Sequence, residues 1–344
     1  MKRSCSFFLI ALAAAAPGFS LTLHAADVAW GGGDFTWNQP DADSFGADTY
    51  QDGDSVTFGN TGITDGTTGK TAIVLSGKLT PGELTFNQTG ARFGGATNSP
   101  GAVGFNYYMG SNAAANYIAS TGGLTLEGGN TIFANTAGSG TFSVNHTFAG
   151  DLSYSGGVML GLRESATTRF VTLSVGSLET PIKGNSIVFN SITSANGNSS
   201  GNAWTASSSR VIVTDSKPTV SNGMVSPGLQ YYTGGNTLGL FMTFSGDNLV
   251  PVTSYGSTDI NTAIDSDIVN IGSSAQAVGT TKTVHAIRLG QNLTINAGVS
   301  LTLGSGGLIM GSNTISGAGT LDFGSGPGFI GAYNAASQGE ISAK

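Results

Sequence analysis

Five aspartates, Asp41, Asp43, Asp48, Asp52 and Asp54, fall within fourteen positions near the start of the chain. Hard cations take several oxygen ligands from a compact loop, so the chemistry such a cluster could support is Ca²⁺ binding. The order lacks the D-x-[DN]-x-[DN]-G run and the distal glutamate of an EF-hand, and a solvated acidic turn uses the same residues. A second acidic group, Asp259, Asp265 and Asp267, is followed further on by Arg288. Carboxylates on one strand face can serve as a general acid and base, or hold Ca²⁺ beside a basic residue, in polysaccharide cleavage. Beside Ser and Thr at strand ends, aspartate is otherwise a turn residue.

His146 and His285 lie 139 positions apart, and no nucleophile-elbow sequence accompanies either, so both read as surface or strand histidines. The run Gly304-Ser305-Gly306-Gly307 lacks the lysine and helix of a phosphate loop and reads as a corner. The stronger candidates are aromatic: Tyr107, Tyr108, Trp204, Tyr231 and Tyr232, set among Ala, Asn, Ser and Gly. Aromatic faces bordered by Asn and Ser suit sugars or protein surfaces. The same side chains could equally pack down as cover for a core. No catalytic residue, metal ligand or cofactor site is assigned.

The elements that must position these residues follow from composition. Glycine supplies 54 of 344 residues, about twice its usual share of about 7%. Charged residues are 10% and hydrophobic ones 39%, so the chain is not of the charge-rich disordered kind. Gly, Thr, Ser and Asn are poor in helix interiors and suit short strands between turns. Short alternating runs such as Ser55-Val56-Thr57-Phe58, Glu83-Leu84-Thr85-Phe86 and Thr141-Phe142-Ser143-Val144 carry the strand signature. The expected class is all-β.

The runs resemble one another. Val56-Thr57-Phe58-Gly59-Asn60-Thr61-Gly62 recurs as Leu84-Thr85-Phe86-Asn87-Gln88-Thr89-Gly90, and Gly122-Gly123-Leu124-Thr125-Leu126 recurs as Gly306-Gly307-Leu308-Ile309-Met310. Apolar centres at Leu293, Leu301, Leu308, Ile315 and Leu321 step by 8, 7, 7 and 6 residues. Three such steps predict coils of about 20–22 residues in a right-handed parallel β-helix, a β-solenoid with Gly or Asn at the corners. About ten coils stacked about 4.8 Å apart would make a rod on the order of 50 Å long. An antiparallel sandwich or barrel is the competing architecture, with turns about every 8–12 residues. Residues 27–60, with Trp30 and Trp37, are expected to form an N-terminal cap, because a bare end exposes strand edges. Residues 61–344 form the solenoid, with long loop insertions near 92–120 and 194–235.

Residues 1–26 read as a signal peptide: Lys2 and Arg3, an apolar stretch from Phe7 to Ala16, a break at Pro17-Gly18, and small residues at Ala25-Ala26. The apolar stretch is shorter than the about 20 residues a membrane span needs. The 318 residues after it contain no cysteine, which excludes disulfides and thiol chemistry there. They carry 11 basic against 20 acidic side chains, a net charge of −9 that argues against nucleic acid as a partner.

Several of these motifs resemble the autotransporter-associated β-strand repeat proteins, the passenger-associated transport repeat family of bacteria. They are Gly122-Gly123-Leu124-Thr125-Leu126, Gly317-Ala318-Gly319-Thr320-Leu321, the opening Trp30-Gly31-Gly32-Gly33 with Trp37-Asn38, Gly53-Asp54-Ser55-Val56-Thr57-Phe58-Gly59, and Leu79-Thr80-Pro81-Gly82-Glu83-Leu84-Thr85-Phe86-Asn87. The resemblance implies a β-helical passenger exported to, or through, the outer membrane. Alternating membrane strands of about ten residues are absent near the end. The expectation is therefore a passenger-like chain without its own translocator barrel, either a truncated product or a separately secreted piece. It would be non-catalytic, structural or adhesive, placed at the cell surface, outside the cell or in the periplasm, with cell-surface glycans or proteins as partners. The alternatives are a β-helical polysaccharide lyase or hydrolase, and a secreted glycan-binding module.

Overall fold

The computed structural model describes residues 26–31, 36–40, 45, 48–59, 71–87, 107–136, 142–164, 169–192, 209–232, 238–332 and 339–343. The regular elements among them are all strands, with no helix. Three successions of strands run side by side from the N-terminal end. The first comprises Asp27–Ala29, Ser55–Phe58, Leu84–Asn87, Leu124–Glu127 and Leu152–Ser155, each parallel to the next. The second runs Thr36–Trp37, Thr71–Leu75, Tyr107–Ser111, Asn130–Asn135, Gly157–Arg163, Ser186–Ile192 and Leu229–Tyr232. The third runs Lys78–Leu79, Tyr117–Ser120, Val144–Phe148, Val171–Ser177 and Arg210–Ser216.

Alternation decides which side chains point in. In the first succession the register aligns Val28, Val56, Leu84, Leu124 and Leu152 in one row, and Phe58, Phe86, Leu126 and Tyr154 in another. All of these are buried. Between the two rows Thr57, Thr85, Thr125 and Ser153 line up and stay half-exposed. A pleated strand with a period of two produces this division. At the N-terminal end Trp30, Trp37, Phe45, Tyr50 and Phe58 pack with ring centroids 5.2–6.1 Å apart.

One corner of the stack is made of backbone. A Cβ on Gly82 would meet the carbonyl oxygen of Gly53, one on Gly122 would meet that of Gly82, and one on Gly150 would meet the backbone of Gly122 and Gly123. Gly176 meets Ala149 and Gly150 in the same way. Hydrogen bonds from Gly150 N–H to Gly122 O (2.9 Å) and from Gly176 N–H to Gly150 O (2.8 Å) tie the layers together. Only glycine permits so close an approach of one layer to the next.

The pairing turns antiparallel at a hairpin, Leu240–Ser245 and Asn248–Pro251. Its first arm pairs with Leu229–Tyr232 and its second with Arg210–Ser216, joining the second and third successions into one 14-stranded sheet. Beyond it parallel pairing resumes. One sheet contains Ile268–Ile271, Lys282–Leu289, Ser300–Met310, Thr320–Asp322 and Phe329–Ala332, the last two both pairing with Ser300–Met310. The other contains Gln276–Val278, Leu293–Ile295, Thr314–Ser316 and Glu340–Ile341.

The spacing departs from expectation before the hairpin and follows it after. Ala286 pairs with Gly307, Leu301 with Leu321, Leu308 with Ile330 and Leu293 with Ile315, steps of 20 to 22 residues, as expected near the C-terminus. Upstream, Val56 pairs with Leu84 and Leu124 with Leu152, steps of 28. Longer steps separate Leu84 from Leu124 and Leu173 from Val211, 40 and 38 residues. These longer steps contain residues 88–106 and 193–208, which lie outside the described residues. Each expected loop insertion also holds strands: Tyr107–Ser111 and Tyr117–Ser120 in the first, Arg210–Ser216 and Leu229–Tyr232 in the second. The signal segment up to residue 25 lies outside the described residues.

Candidate functional site

The five aromatic candidates do not form one exposed surface. Register aligns Tyr107, Thr131, Leu160, Phe189 and Tyr231 in a single inward row, and both tyrosines are fully buried. The Tyr107 hydroxyl donates to Gly59 O at 2.5 Å, and burial pushes its phenol well above the usual range. Neither ring face is therefore open to a ligand, which corrects the expectation for these two residues. Tyr108 lies on the same strand as Tyr107, and Trp204 lies outside the described residues. Tyr232 is half-buried, and burial raises its phenol too.

Tyr232 belongs to the seam where the strands after the hairpin meet those before it. Met224, Phe241, Val252, Ile268, Ala286 and Ile309 are buried there, with Tyr232, Leu238 and Tyr255 packed against them. Arg288 spans the seam. Its Nε donates to Gly239 O (2.8 Å), Nη1 to Asn270 Oδ1 (2.9 Å) and Nη2 to Leu238 O (3.2 Å). Burial lowers the basicity of this guanidinium, and the neighbouring Tyr255 works against that shift. Close by, Asn222, held at φ 50°, donates from Nδ2 to Nδ1 of His285 at 3.1 Å. Asn222 donating there puts the ring proton of neutral His285 on Nε2. Burial lowers the pKa of His285.

The acidic candidates are engaged in turns. Asp259 Oδ1 accepts from Asn261 N–H at 2.9 Å and Asp267 Oδ2 from Ile264 N–H at 2.9 Å, while Asp265 is exposed. Asp52 Oδ1 accepts from Thr80 N–H (2.8 Å) and the Tyr50 hydroxyl (3.1 Å). Asp54 is buried and accepts two backbone N–H groups. Asp41 and Asp43 lie outside the described residues. Among the described residues no three His, Cys, Asp or Glu side chains converge as a metal site would require.

Two buried ionisable residues were not singled out by the sequence reading as buried. Glu164 is 1% exposed; its Oε1 accepts Ser209 N–H at 2.9 Å, and Ser209 Oγ accepts Val171 N–H at 2.9 Å. Burial raises the Glu164 carboxyl, with the Ser209 bonds opposing. His146 sits inside the third succession in register with Leu173, against Phe133 at 5.1 Å between ring centroids. Its Nδ1 accepts Ile118 N–H at 3.2 Å, and burial lowers its pKa to about 3. The alternation Val144-Asn145-His146-Thr147-Phe148 was the signal that could have placed it inside.

A neutral His146 in the folded protein and an ordinary imidazole in the unfolded chain fix the sign of a pH effect. Above pH about 6.5 both states hold the ring neutral, and its contribution to stability is intact. As pH falls below that, only the unfolded state takes up the proton, so stability declines until the folded pKa of about 3 is reached. Between pH 6.5 and 5 the expected loss from this residue is about 2 kcal/mol. Denaturant melts of wild type and His146→Leu across that interval check it: the variant should show a shallower decline, and parallel curves would rule the effect out.

No protein-family model, curated protein or solved structure matches this chain.

Proposed function

We propose that this chain is an exported, non-catalytic protein, wound as a right-handed parallel β-helix and serving as a structural or adhesive element at or beyond the cell surface. The observation that carries the reading is the regular recurrence of parallel strands with in-register apolar rows, such as Val28, Val56, Leu84, Leu124 and Leu152. A right hand is the one that crossovers between parallel strands take. The aromatic cluster around Trp30 and Trp37 acts as the cap on the N-terminal end, covering an otherwise bare apolar interior. The hairpin closes the first stack, and Arg288 with the apolar seam couples it to the second.

A structural or adhesive role fits where the polar groups are spent. Asp259 and Asp267 cap turns, and Arg288 is bound to backbone and amide oxygens across the seam. Outward rows such as Thr57, Thr85, Thr125 and Ser153 offer uncharged hydroxyls for cell-surface glycans or proteins. The signal segment and passenger-like motifs support export. The test incubates the protein, purified from an exporting host, with a panel of acidic and neutral polysaccharides. No chain cleavage is expected. Reproducible turnover, lost in Asp265→Ala or Asp267→Ala, would replace this reading with a polysaccharide lyase or hydrolase.

A further inference from the structure

Asp54 is a carboxylate 6% exposed, at the corner where the first two layers of the stack meet. Its Oδ1 accepts from Ala26 N–H at 2.8 Å and its Oδ2 from Gln51 N–H at 2.8 Å. Among the described residues no cationic side chain is paired with it. A carboxylate taken this far out of water is stabilised by an opposite charge or by strong donors. Ala26 is fixed on its other side as well: its carbonyl accepts Ser55 N–H at 2.8 Å. The following strand, Asp27–Ala29, pairs in parallel with Ser55–Phe58. Ala26 is thus a bonded member of the fold although it is itself exposed.

We infer that the export leader is removed between Ala25 and Ala26, so that the mature protein begins at Ala26 and its α-ammonium is the countercharge of Asp54. The inference rests on the export reading above and moves the boundary one residue earlier than the signal of residues 1–26. In the cut, water adds across the Ala25–Ala26 peptide bond, assisted by a leader peptidase of the exporting cell. The hydroxyl goes to the Ala25 carbonyl carbon and the proton to the Ala26 nitrogen, leaving a carboxylate and an ammonium at neutral pH. Such peptidases require a small residue before the cut, and Ala25 supplies one.

Cleavage after Ala26 would also follow an alanine, so sequence alone does not choose between the two bonds. The fold does. Losing Ala26 would strip Asp54 Oδ1 of its donor and Ser55 N–H of its acceptor. Keeping it as the terminus exchanges an amide donor for an ammonium, and a hydrogen bond between two charged groups is about twice as strong as a neutral one.

The experiment produces the full chain in an exporting Gram-negative host and reads the exported protein by intact mass and N-terminal sequencing. A chain beginning at Ala26 is expected. An exported chain beginning at Asp27 or beyond overturns the inference and leaves export standing. A chain retained in the cell with its leader uncut overturns both. The pairing itself is read by labelling the exported protein with an amine-reactive ester near pH 7 and quantifying the N-terminal peptide. Asp54→Asn is expected to label several-fold faster than wild type at that peptide, with lysine peptides unchanged. Equal labelling would mean that Asp54 does not hold the amine.

Discussion

Gly122→Val is expected to destabilise the protein by about 3 kcal/mol, the upper part of the usual range for overpacking. The reason is the backbone corner in which Gly53, Gly82, Gly122 and Gly150 lie layer upon layer. A Cβ on Gly122 would overlap the Gly82 carbonyl oxygen and crowd Cα of Glu83. The obstacle is backbone, which cannot swing aside as the tip of a side chain can. Relief would mean parting the layers, and that would stretch the bonds from Leu84 N–H to Gly123 O (3.1 Å) and from Gly150 N–H to Gly122 O (2.9 Å). Gly279 is the control, because a Cβ there meets nothing within 4 Å. Gly279→Ala should stay within about 0.5 kcal/mol of wild type. Equilibrium denaturation of the three proteins decides the matter, and similar midpoints for Gly122→Val and wild type would refute the close-packed corner.

Phe86→Ala should cost about 4 kcal/mol. Its ring stacks on Phe58 at 5.0 Å with an interplanar angle of 14°, and contacts Tyr107 at 5.6 Å and Phe133 at 6.3 Å. Those partners come from neighbouring layers and from more than one succession of strands, so the cavity cannot close by local collapse. Phe86→Leu keeps most of the volume and should lose only about 1.5 kcal/mol. Ile182, 66% exposed, supplies the contrast: Ile182→Ala should change stability by no more than about 0.5 kcal/mol. Denaturant titration with a shared slope separates the three.

The strands and the all-β class were legible because alternation survives in short runs. The likeness between Val56-Thr57-Phe58 and Leu84-Thr85-Phe86 proved to be a direct pairing, residue against residue. Neighbouring layers present the same environment at aligned positions, so they select similar side chains. The likeness between Gly122-Gly123-Leu124 and Gly306-Gly307-Leu308 has no such basis, since Leu124–Glu127 and Ser300–Met310 belong to different sheets. Spacing was readable after Ile264, where the steps from Ala286 to Gly307 and from Leu293 to Ile315 are short. Upstream, steps of 28 alternate with steps near 40, and unequal connections erase a period from the sequence.

The candidate site was less legible. Tyr107 and Tyr231 are separated from their row partners by long stretches of Asn, Ser and Gly, so their polar sequence neighbours suggested loops. Their actual neighbours, Thr131 and Phe189, are distant in sequence. Burial of Asp54 and Glu164 is likewise set by remote backbone donors, Ala26 N–H and Ser209 N–H, that no local pattern announces.

Cysteine cross-linking along one outward row tests the layered parallel winding most directly. Cys5, in the leader, is the chain's one native cysteine, so pairs introduced later report without interference. Thr57 is the register partner of Thr85, and Thr85 that of Thr125. Adjacent strands lie about 4.8 Å apart, within reach of a disulfide, and strands two layers apart lie about 9.6 Å apart, beyond it. The exported protein carrying Thr57→Cys with Thr85→Cys, or Thr85→Cys with Thr125→Cys, should oxidise to an internal disulfide seen by mass. The protein with Thr57→Cys and Thr125→Cys should keep free thiols. A disulfide in that last pair, or none in the first two, would contradict the winding.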